Sequence, residues 1–270
     1  MLKNKTIGFI GSGNMAEPMM AGLIQNGVEP SLIVAADIRQ ARIDELAKKY
    51  GVTPAVDNET TAAEADILIL AVKPQYFDSI VPAIQGKIPK ESLVISIMAG
   101  TTLDSLVAGT GHVAVVRSMP NTPAQIGQGM TMWTTTDSVS AEQKEQAQAI
   151  LSSFGRAVFA NGEHYIDMST AMSGSGPGYV FLMLEAMVDA GVQMGLARPM
   201  AKELVLQTVI GSATYAQQSD LHLAQLRNNV TSPGGTTAAG IAALEAGGMR
   251  TVLSDCIWAA YHRSVELGKQ

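Results

Sequence analysis

The sequence of 270 residues predicts an α/β protein, with a doubly wound parallel sheet in its N-terminal part and helices alone in its C-terminal part. Short runs rich in β-branched residues alternate with helical patterns in the first part, which is typical of a parallel sheet with helices on both faces. From about Glu163 onward, only helical patterns occur. We therefore predict two domains, residues 1–161 and residues 162–270, with the boundary near Asn161 and Gly162.

The elements follow from this alternation in chain order. The predicted strands are 6–10, 32–36, 67–72, 93–97, 113–117, 130–134 and 156–159. The predicted helices of the first domain are 15–26, 39–50, 60–65, 75–84, 103–108 and 141–154. Those of the second domain are 178–196, 199–218, 221–228, 236–246 and 250–267. Right-handed crossovers through the first set of helices would produce the doubly wound sheet.

Charge and composition favour a small molecule as the partner. The formal net charge is -6 and the basic residues do not cluster, which argues against a nucleic-acid surface. The single cysteine, Cys256, cannot form an internal disulfide, and the N-terminus leads directly into a strand without a signal segment, so we expect a cytoplasmic protein. The most apolar long segment, 179–196, carries Glu185 and Asp189, which a membrane span would tolerate poorly.

The helix predicted at 178–196 has apolar positions on more than one face. A single neighbouring core could not easily bury all of them. We therefore expect the helical domain to pack against another copy of itself, which makes the protein a homo-oligomer. The alternative is a monomeric helical bundle.

The first strand leads into a turn with the pattern Gly-x-Gly-x-x-Ala, formed by residues 11–16. In a Rossmann-type dinucleotide site, Gly11 permits a tight turn, Gly13 lets the backbone approach a pyrophosphate, and Ala16 lets helix and strand pack closely. The N-terminus of the following helix favours the negative charge of the phosphates. The alternative interpretation is an ordinary glycine turn.

The sequence leaves the choice between NAD and NADP open. Asp37 ends the second strand, where a carboxylate would accept hydrogen bonds from the adenosine ribose and favour NAD. Arg39 lies two residues later and would reach a 2′-phosphate, with Arg42 as a further candidate. Either arginine is equally well explained as part of a solvated helix face.

Four further segments, at 71–74, 119–123, 173–177 and 232–237, read AVKP, MPNTP, SGSGP and SPGGTT. Together with the opening turn, they resemble pyrroline-5-carboxylate reductases in order and spacing over positions 7 to 265. The resemblance implies a Rossmann domain, a helical dimerisation domain and NADPH, or NADH, as the cofactor in the reduction of a cyclic imine to proline. The cofactor contacts that it implies are Ile10, Gly11, Ser12, Gly13, Asn14, Met15, Asn58, Ala71, Val72, Lys73, Pro74, Met98, Ala99 and Gly100. Met119 and Asn121 would lie near the nicotinamide, and Glu163 and Asn229 are further candidates.

The family's substrate carries a carboxylate beside its C=N bond. The segment 232–237 suits the anion, because Pro-Gly-Gly turns sharply and the following helix presents free N–H groups. The resemblance implies that Ser232, Gly235, Thr236 and Thr237 bind substrate, with Thr237 also against the imine nitrogen as the catalytic residue. It places Ser175 near substrate as well. The alternative for the loop is a capped helix start without a ligand.

The predicted mechanism is direct hydride transfer with catalysis mostly by positioning. The four histidines are scattered and no metal site is indicated. Two alternative enzymes remain: a β-hydroxyacid dehydrogenase, although Lys202 lacks the surroundings of that family's catalytic lysine, and a reductase of a six-membered cyclic imine. A non-catalytic dinucleotide sensor is the third alternative.

Overall fold

A computed structural model describes residues 2–268 of the chain. Within these residues the strands form one sheet in the order β3-β2-β1-β4-β5-β6-β7-β8. The strands are β1 (Ile7–Ile10), β2 (Ile33–Ala36), β3 (Thr53–Pro54), β4 (Ile67–Leu70), β5 (Leu93–Ser96), β6 (Val115–Met119), β7 (Gly129–Thr135) and β8 (Gly155–Phe159). The predicted strands are all present, with bounds that differ by a few residues.

The strand order reverses at β1, which pairs in parallel with both β2 and β4. This is the topology of a doubly wound sheet, in which ligands bind outside the carboxyl ends of the strands at the reversal. Ile10 is opposite Ala36 on one side and Leu70 on the other, so the segments after these three residues begin at one edge of the sheet.

Two details of the sheet differ from the prediction. The strand β7 pairs antiparallel with β6, whereas its other neighbour β8 is parallel to it. The connection from β6 to β7, residues 120–128, holds only a short 3-10 helix, and a parallel crossover needs about a dozen residues or more. The edge strand β3 was not predicted, because its two residues, one of them Pro54, are too few to show a period.

Helices cover both faces of the sheet. They are α1 (Ala16–Gln25), α2 (Gln40–Tyr50), α3 (Asn58–Glu64), α4 (Phe77–Ile84), α5 (Leu103–Thr110), α6 (Ala141–Leu151) and α7 (His164–Ser169). One core cluster includes Phe9 and Ile69 with α1 and α6, and a second includes Ile10 and Leu70 with α3, α4 and α5. Side chains of one strand alternate between the faces, so a strand such as β1 supplies both clusters.

Side-chain caps mark the start of two of these helices. Asp57 accepts a hydrogen bond from the backbone N–H of Thr60 at α3, and Ser140 and Gln143 form a capping box at α6. The helix α7 and the π-helical turn after it, Thr170–Gly174, were not predicted individually. Single π-helical turns occur frequently at functional sites.

The remaining helices are α8 (Gly176–Gln193), α9 (Arg198–Gln218), α10 (Leu223–Asn229), α11 (Thr236–Ala246) and α12 (Met249–Leu267). Backbone contacts divide the chain into two compact units: unit 1 contains the residues through Pro177 and those from Ala260 onward, and unit 2 is Gly178–Ala259. The functional boundary at residues 161 and 162 stays a prediction.

Unit 2 exposes many large apolar side chains, among them Phe181, Leu182, Leu204 and Ile210. A surface of this kind is typical of an interface with another protein chain. None of the helices within residues 2–268 combines the length and the apolar character that crossing a membrane requires.

Candidate active site

A groove of about 680 Å³ lies at the carboxyl ends of the strands around β1, within unit 1. Most of the cofactor contacts predicted from the sequence line it. They are Ile10, Gly11, Gly13, Asn14, Met15, Asp37, Arg39, Asn58, Ala71, Val72, Lys73, Pro74, Met98 and Ala99. These residues come from five separate segments of the chain, and the sheet topology brings them together.

Five lining residues were missed by the sequence analysis: Ile38, Tyr76, Ser79, Ile80 and Ile97. Ile38 is 95% exposed, and Tyr76 is also exposed. The available signal is the position of Ile38 directly after Asp37, just beyond the end of β2, but the exposure of its side chain is visible only in the folded chain.

Gly11 permits the closest backbone approach in the groove. Its φ of +91° favours glycine, and a Cβ atom there would lie 2.7 Å from the carbonyl carbon and oxygen of Ala71. The two strand ends are tied by a 2.8 Å hydrogen bond from the N–H of Ala71 to the carbonyl of Ile10. At Gly13, by contrast, a Cβ would meet none of the described heavy atoms within 4 Å, so this part of the turn faces open space.

Ser12 does not line the groove but is fully buried behind it. Its backbone N–H donates to Asp37 Oδ2 over 3.1 Å, and its hydroxyl donates to the carbonyl of Ala36 over 3.0 Å. Its carbonyl accepts a 2.9 Å hydrogen bond from Nε of Arg42. All three polar groups of the residue between the two glycines are therefore held by protein atoms.

Asp37 is paired with Arg39 in the structure. The other carboxylate oxygen, Oδ1, accepts from the backbone N–H of Arg39 at 3.0 Å and from its Nε at 3.2 Å. Burial by itself would raise the pKa of Asp37, but the hydrogen bonds from Arg39 and from the N–H of Ser12 outweigh it and lower that pKa below its ordinary value. Asp37 is therefore ionised at neutral pH, and the side chain of Arg39 is 63% exposed beside it.

Arg42, the second candidate for a 2′-phosphate, does not line the groove. Besides Ser12, its guanidinium donates to Glu17 on the first turn of α1 and, over 2.9 Å, to Glu45. Glu17 also accepts from Lys49 at 2.8 Å and from the hydroxyl of Tyr50 at 2.9 Å. The hydrogen bond from Lys49, supported by those from Arg42 and Tyr50, outweighs burial and lowers the pKa of Glu17 from 4.5 to about 2.

Other predicted residues of unit 1 lie away from the groove lining. The side chain of Met119 lies against Gly174, and Asn121 donates to the carbonyl of Ser173 and accepts from the N–H of Met130. Both residues thus contact the π-helical turn that ends before Ser175. Ser175 is half-buried, and its N–H donates to the carbonyl of Thr170 over 2.8 Å.

Gly100 and Glu163 also have protein partners within unit 1. A Cβ at Gly100 would lie 2.9 Å from the Cβ of Leu267 on α12. Glu163 accepts 2.7 Å hydrogen bonds from the N–H of Leu103, at the start of α5, and from Arg117. Glu163 therefore joins the segment after β5, which contains Gly100, to β6.

The predicted substrate loop lies in unit 2, together with Asn229 at the end of α10. The N–H of Gly235 donates to the carbonyl of Ser232 over 3.0 Å, and Gly234 has a φ of +68°, as a type II turn with Pro233 at its second position requires. The helix α11 begins at Thr236 and ends at Ala246, as predicted. Within the described chain no side chain caps this helix start, which leaves its first N–H groups available to an anion.

The described residues contain no group of three or more histidine, cysteine, aspartate or glutamate side chains arranged to hold a metal ion.

Comparison with known proteins identifies the family. Residues 163–267 match the family model described as pyrroline-5-carboxylate reductase dimerisation, and residues 6–100 match that described as NADP oxidoreductase coenzyme F420-dependent. The pyrroline-5-carboxylate reductase of Synechocystis sp. is 43% identical over 265 residues, which cover 98% of each protein. The chain belongs to the pyrroline-5-carboxylate reductase family. The resemblance, the fold class and the enzyme class predicted from the sequence, an NAD(P)H-dependent oxidoreductase, are confirmed.

Solved structures of pyrroline-5-carboxylate reductases agree with this assignment. The enzyme from Coxiella burnetii matches with a TM-score of 0.89 at 36% identity. The match covers 98% of this chain and 99% of the Coxiella enzyme. The enzyme from Plasmodium falciparum, solved with NADP bound, matches with a TM-score of 0.90 at 31% identity. That match covers 99% of this chain and 100% of the Plasmodium enzyme. The 3-hydroxyisobutyrate dehydrogenase of Mycobacterium tuberculosis, at 20% identity and a TM-score of 0.51, shares the fold alone. The dimerisation model over residues 163–267 also confirms the expected self-association.

Proposed function

We propose that this chain reduces 1-pyrroline-5-carboxylate to L-proline with NADPH, or with NADH, as the last step of proline biosynthesis. The observation that carries the proposal is the groove of unit 1, in which a Gly-x-Gly turn at the start of α1 meets the loops after β2, β4 and β5. This arrangement suits an extended dinucleotide at the reversal of a doubly wound sheet.

In this proposal the cofactor lies along the groove. Gly11 to Met15, at the N-terminus of α1, bind the pyrophosphate through backbone N–H groups. Asp37, Arg39 and Asn58 bind the adenosine ribose and its 2′ substituent, and the exposed side chains of Ile38 and Tyr76 pack on the adenine. The segments 71–74 and 98–100 line the way to the nicotinamide, with Met119 and Asn121 supporting its far end.

The substrate binds at the start of α11. Its carboxylate accepts hydrogen bonds from Ser232, from Thr236 and from the free backbone N–H groups that follow Gly235 on the first turn of α11. Thr237 contributes to this anion site by donating its hydroxyl hydrogen, and its hydroxyl oxygen accepts a hydrogen bond from the protonated imine nitrogen. Ser175, beside the π-helical turn, adds a polar contact to the substrate, and Glu163 and Asn229 act close to the cofactor.

The reduced nicotinamide, when bound, supplies a hydride to the imine carbon. The residues of the site orient the two reactants and exclude water, since alignment at near-contact distance lowers the barrier by several kcal/mol. The ring nitrogen is protonated in the reactive form of the imine, so the site needs no strong acid. Thr237 holds that nitrogen in place while the C=N bond becomes a single bond.

The proposal also covers the self-association of the protein and its place in the cell. Self-association would produce a homodimer or a larger assembly of dimers through the helical region. The protein would act in the cytoplasm on a small molecule, without binding nucleic acid, given its net charge of -6 and its lone cysteine.

The experiment that tests the function follows the oxidation of NADPH and of NADH by their ultraviolet absorbance. The substrates are the five-membered pyrroline carboxylate, its six-membered analogue and, in the oxidative direction, a 3-hydroxyacid. We expect fast turnover of the five-membered ring alone. Turnover only of the six-membered ring would assign the chain to a related imine reductase, and tight dinucleotide binding without turnover would make it a sensor.

A further inference from the structure

The glycine turn is held from behind by one arginine of α2. Ser12, between the two glycines, is fully buried, and Arg42 donates to its carbonyl over 2.9 Å. The same guanidinium donates to Glu17, on the first turn of α1. One planar group thus binds both the turn and the helix that follows it.

The geometry of Arg42 suits this double contact. A guanidinium presents several donors in a fixed plane, so it can set the distance between two acceptors in a way that a flexible ammonium cannot. The side chain of Arg42 is only 12% exposed, and its third partner, Glu45, lies on its own helix. Each of the three nitrogens of Arg42 therefore donates to a residue that does not line the groove.

The contact between Arg42 and Glu17 also changes the charge at the start of α1. Glu17 stands on the first turn of the helix whose N-terminus faces the groove, where a negative charge would repel a dinucleotide pyrophosphate. Arg42 and Lys49 both bind this carboxylate, and Arg42 also pairs with Glu45, so the two positive and two negative charges of the cluster balance. The N-terminus of α1 therefore keeps its preference for an anion.

We propose that Arg42 is a positioning residue for the dinucleotide: it fixes the Ser12 carbonyl and neutralises Glu17, and so prepares the glycine turn for the pyrophosphate of NADPH and NADH alike. This inference rests on the proposed function only in that a dinucleotide occupies the groove. It assigns to Arg42 a role different from that of Arg39, which is exposed beside Asp37 and suited to a 2′-phosphate that NADH lacks.

The test compares four variants: Arg42→Gln, Arg42→Lys, Arg39→Gln and Glu45→Gln. Dissociation constants for NADPH and for NADH are measured separately by the fluorescence of the reduced nicotinamide, with kcat, KM and the thermal midpoint of each variant. Glu45→Gln is the matched control, because it removes the charge of the partner of Arg42 that lies on α2 and leaves the bond to Ser12 in place.

We expect Arg42→Gln to raise both dissociation constants by about tenfold, the factor for one hydrogen bond to a charged group. The value of kcat and the KM for the imine stay unchanged, because the reacting groups are not touched. Arg42→Lys, which keeps one positive charge, recovers part of the loss, and Arg39→Gln weakens NADPH only. Should Arg42→Gln fail to fold, Arg42→Lys carries the test, with a rise of about threefold for both cofactors.

Three outcomes would overturn the inference. Weakening of NADPH alone by Arg42→Gln would mean that Arg42 contacts the 2′-phosphate. A lower thermal midpoint with unchanged dissociation constants would mean that Arg42 stabilises the fold and does not affect cofactor binding. If the wild-type protein binds neither dinucleotide, the proposed function fails together with the inference. If it binds a dinucleotide without turnover, only the proposed function fails, and the dissociation constants of the variants still test the role of Arg42.

Discussion

Arg117 and Glu163 form a 2.7 Å ion pair that joins the middle of the sheet to the start of α7. The arginine side chain is only 2% exposed. Its second terminal nitrogen donates to Asp167 over 2.9 Å, and the same carboxylate oxygen of Asp167 accepts from the hydroxyl of Ser264 on α12. One buried cation therefore connects β6, α7 and the end of α12 within unit 1.

Removal of this cation should destabilise unit 1 strongly. We expect Arg117→Ala to lower the free energy of unfolding by about 3 kcal/mol or more, because it leaves Glu163 and Asp167 without their counter-ion. The measurement is urea unfolding at a fixed protein concentration. Arg263→Ala is the control, since its pair with Glu266 is exposed and should contribute less than about 1 kcal/mol. Equal effects of the two substitutions would contradict the role of the buried pair.

A methyl group at Gly11 should prevent dinucleotide binding. It would lie 2.7 Å from the backbone of Ala71, so the turn or the end of β4 would have to move. Gly27→Ala provides the comparison: Gly27 has a similar φ of +86°, but its Cβ would meet none of the described heavy atoms within 4 Å. We expect Gly27→Ala to cost only the backbone strain, about 1 to 2 kcal/mol, and to bind cofactor normally. Normal NADPH binding by Gly11→Ala, measured by fluorescence, would disprove the close approach.

Arg39 should decide the affinity for the 2′-phosphate. Its guanidinium is mostly exposed, and a charge-assisted hydrogen bond to phosphate would leave Asp37 free for the remaining ribose hydroxyl. We expect Arg39→Gln to raise the KM for NADPH by about tenfold and to change that for NADH by less than about twofold. Steady-state kinetics with each cofactor at saturating imine gives both values. If the KM values for NADPH and NADH rise together, Arg39 acts through its contact with Asp37 and not through the 2′-phosphate.

Thr237 should affect turnover rather than cofactor binding. We expect Thr237→Ala to lower kcat at least about tenfold, because the imine nitrogen loses a positioned hydrogen bond. The dissociation constant for NADPH should not change. Thr53→Ala, which removes a threonine hydroxyl bonded to the carbonyl of Ser31 at the edge strand β3, serves as the control. Unchanged turnover of Thr237→Ala would remove this residue from the mechanism.

Acid should weaken the fold in part through Glu17. Its pKa of about 2 lies below the ordinary value of 4.5, so its ionised form stabilises the folded chain. This contribution, about 2 to 3 kcal/mol, is fully present above pH 4.5 and is lost as the pH falls toward 2. We expect wild-type protein to lose more free energy of unfolding over that range than Glu17→Gln. Parallel pH profiles of the two proteins would show that Glu17 is not the responsible group.

Local patterns were sufficient to predict much of this molecule. The apolar runs that became β1, β4 and β5, the glycine turn at Gly11 and the start of α11 at Thr236 each depend on residues that are neighbours in the chain. Chain order then placed the segments 71–74 and 98–99 on the same edge as the turn, because parallel strands connected by helices end on one side.

Long-range contacts were beyond these patterns. The antiparallel direction of β7 follows from its short connection to β6 once the two strands pair, and the pairing itself is a contact of the folded chain. The short strand β3 exists only as an edge beside β2. The groove residues Ile38 and Tyr76 look like ordinary apolar residues in the sequence, because the fold of the surrounding chain determines whether their side chains are exposed.

The sequence by itself determined the sheet, its helical continuation and the glycine turn, because periodicity and turn chemistry act over a few residues. The family and most of the residues that line the groove followed from the resemblance of its motifs to pyrroline-5-carboxylate reductases. Only the tertiary structure decided how charged groups are used. It paired Arg42 with Ser12 and Glu17, left Arg39 exposed beside Asp37, and bound Glu163 to a buried arginine. The physical reason is that a charged side chain is stabilised by its nearest counter-ion and its access to water, and both depend on residues far apart in the chain.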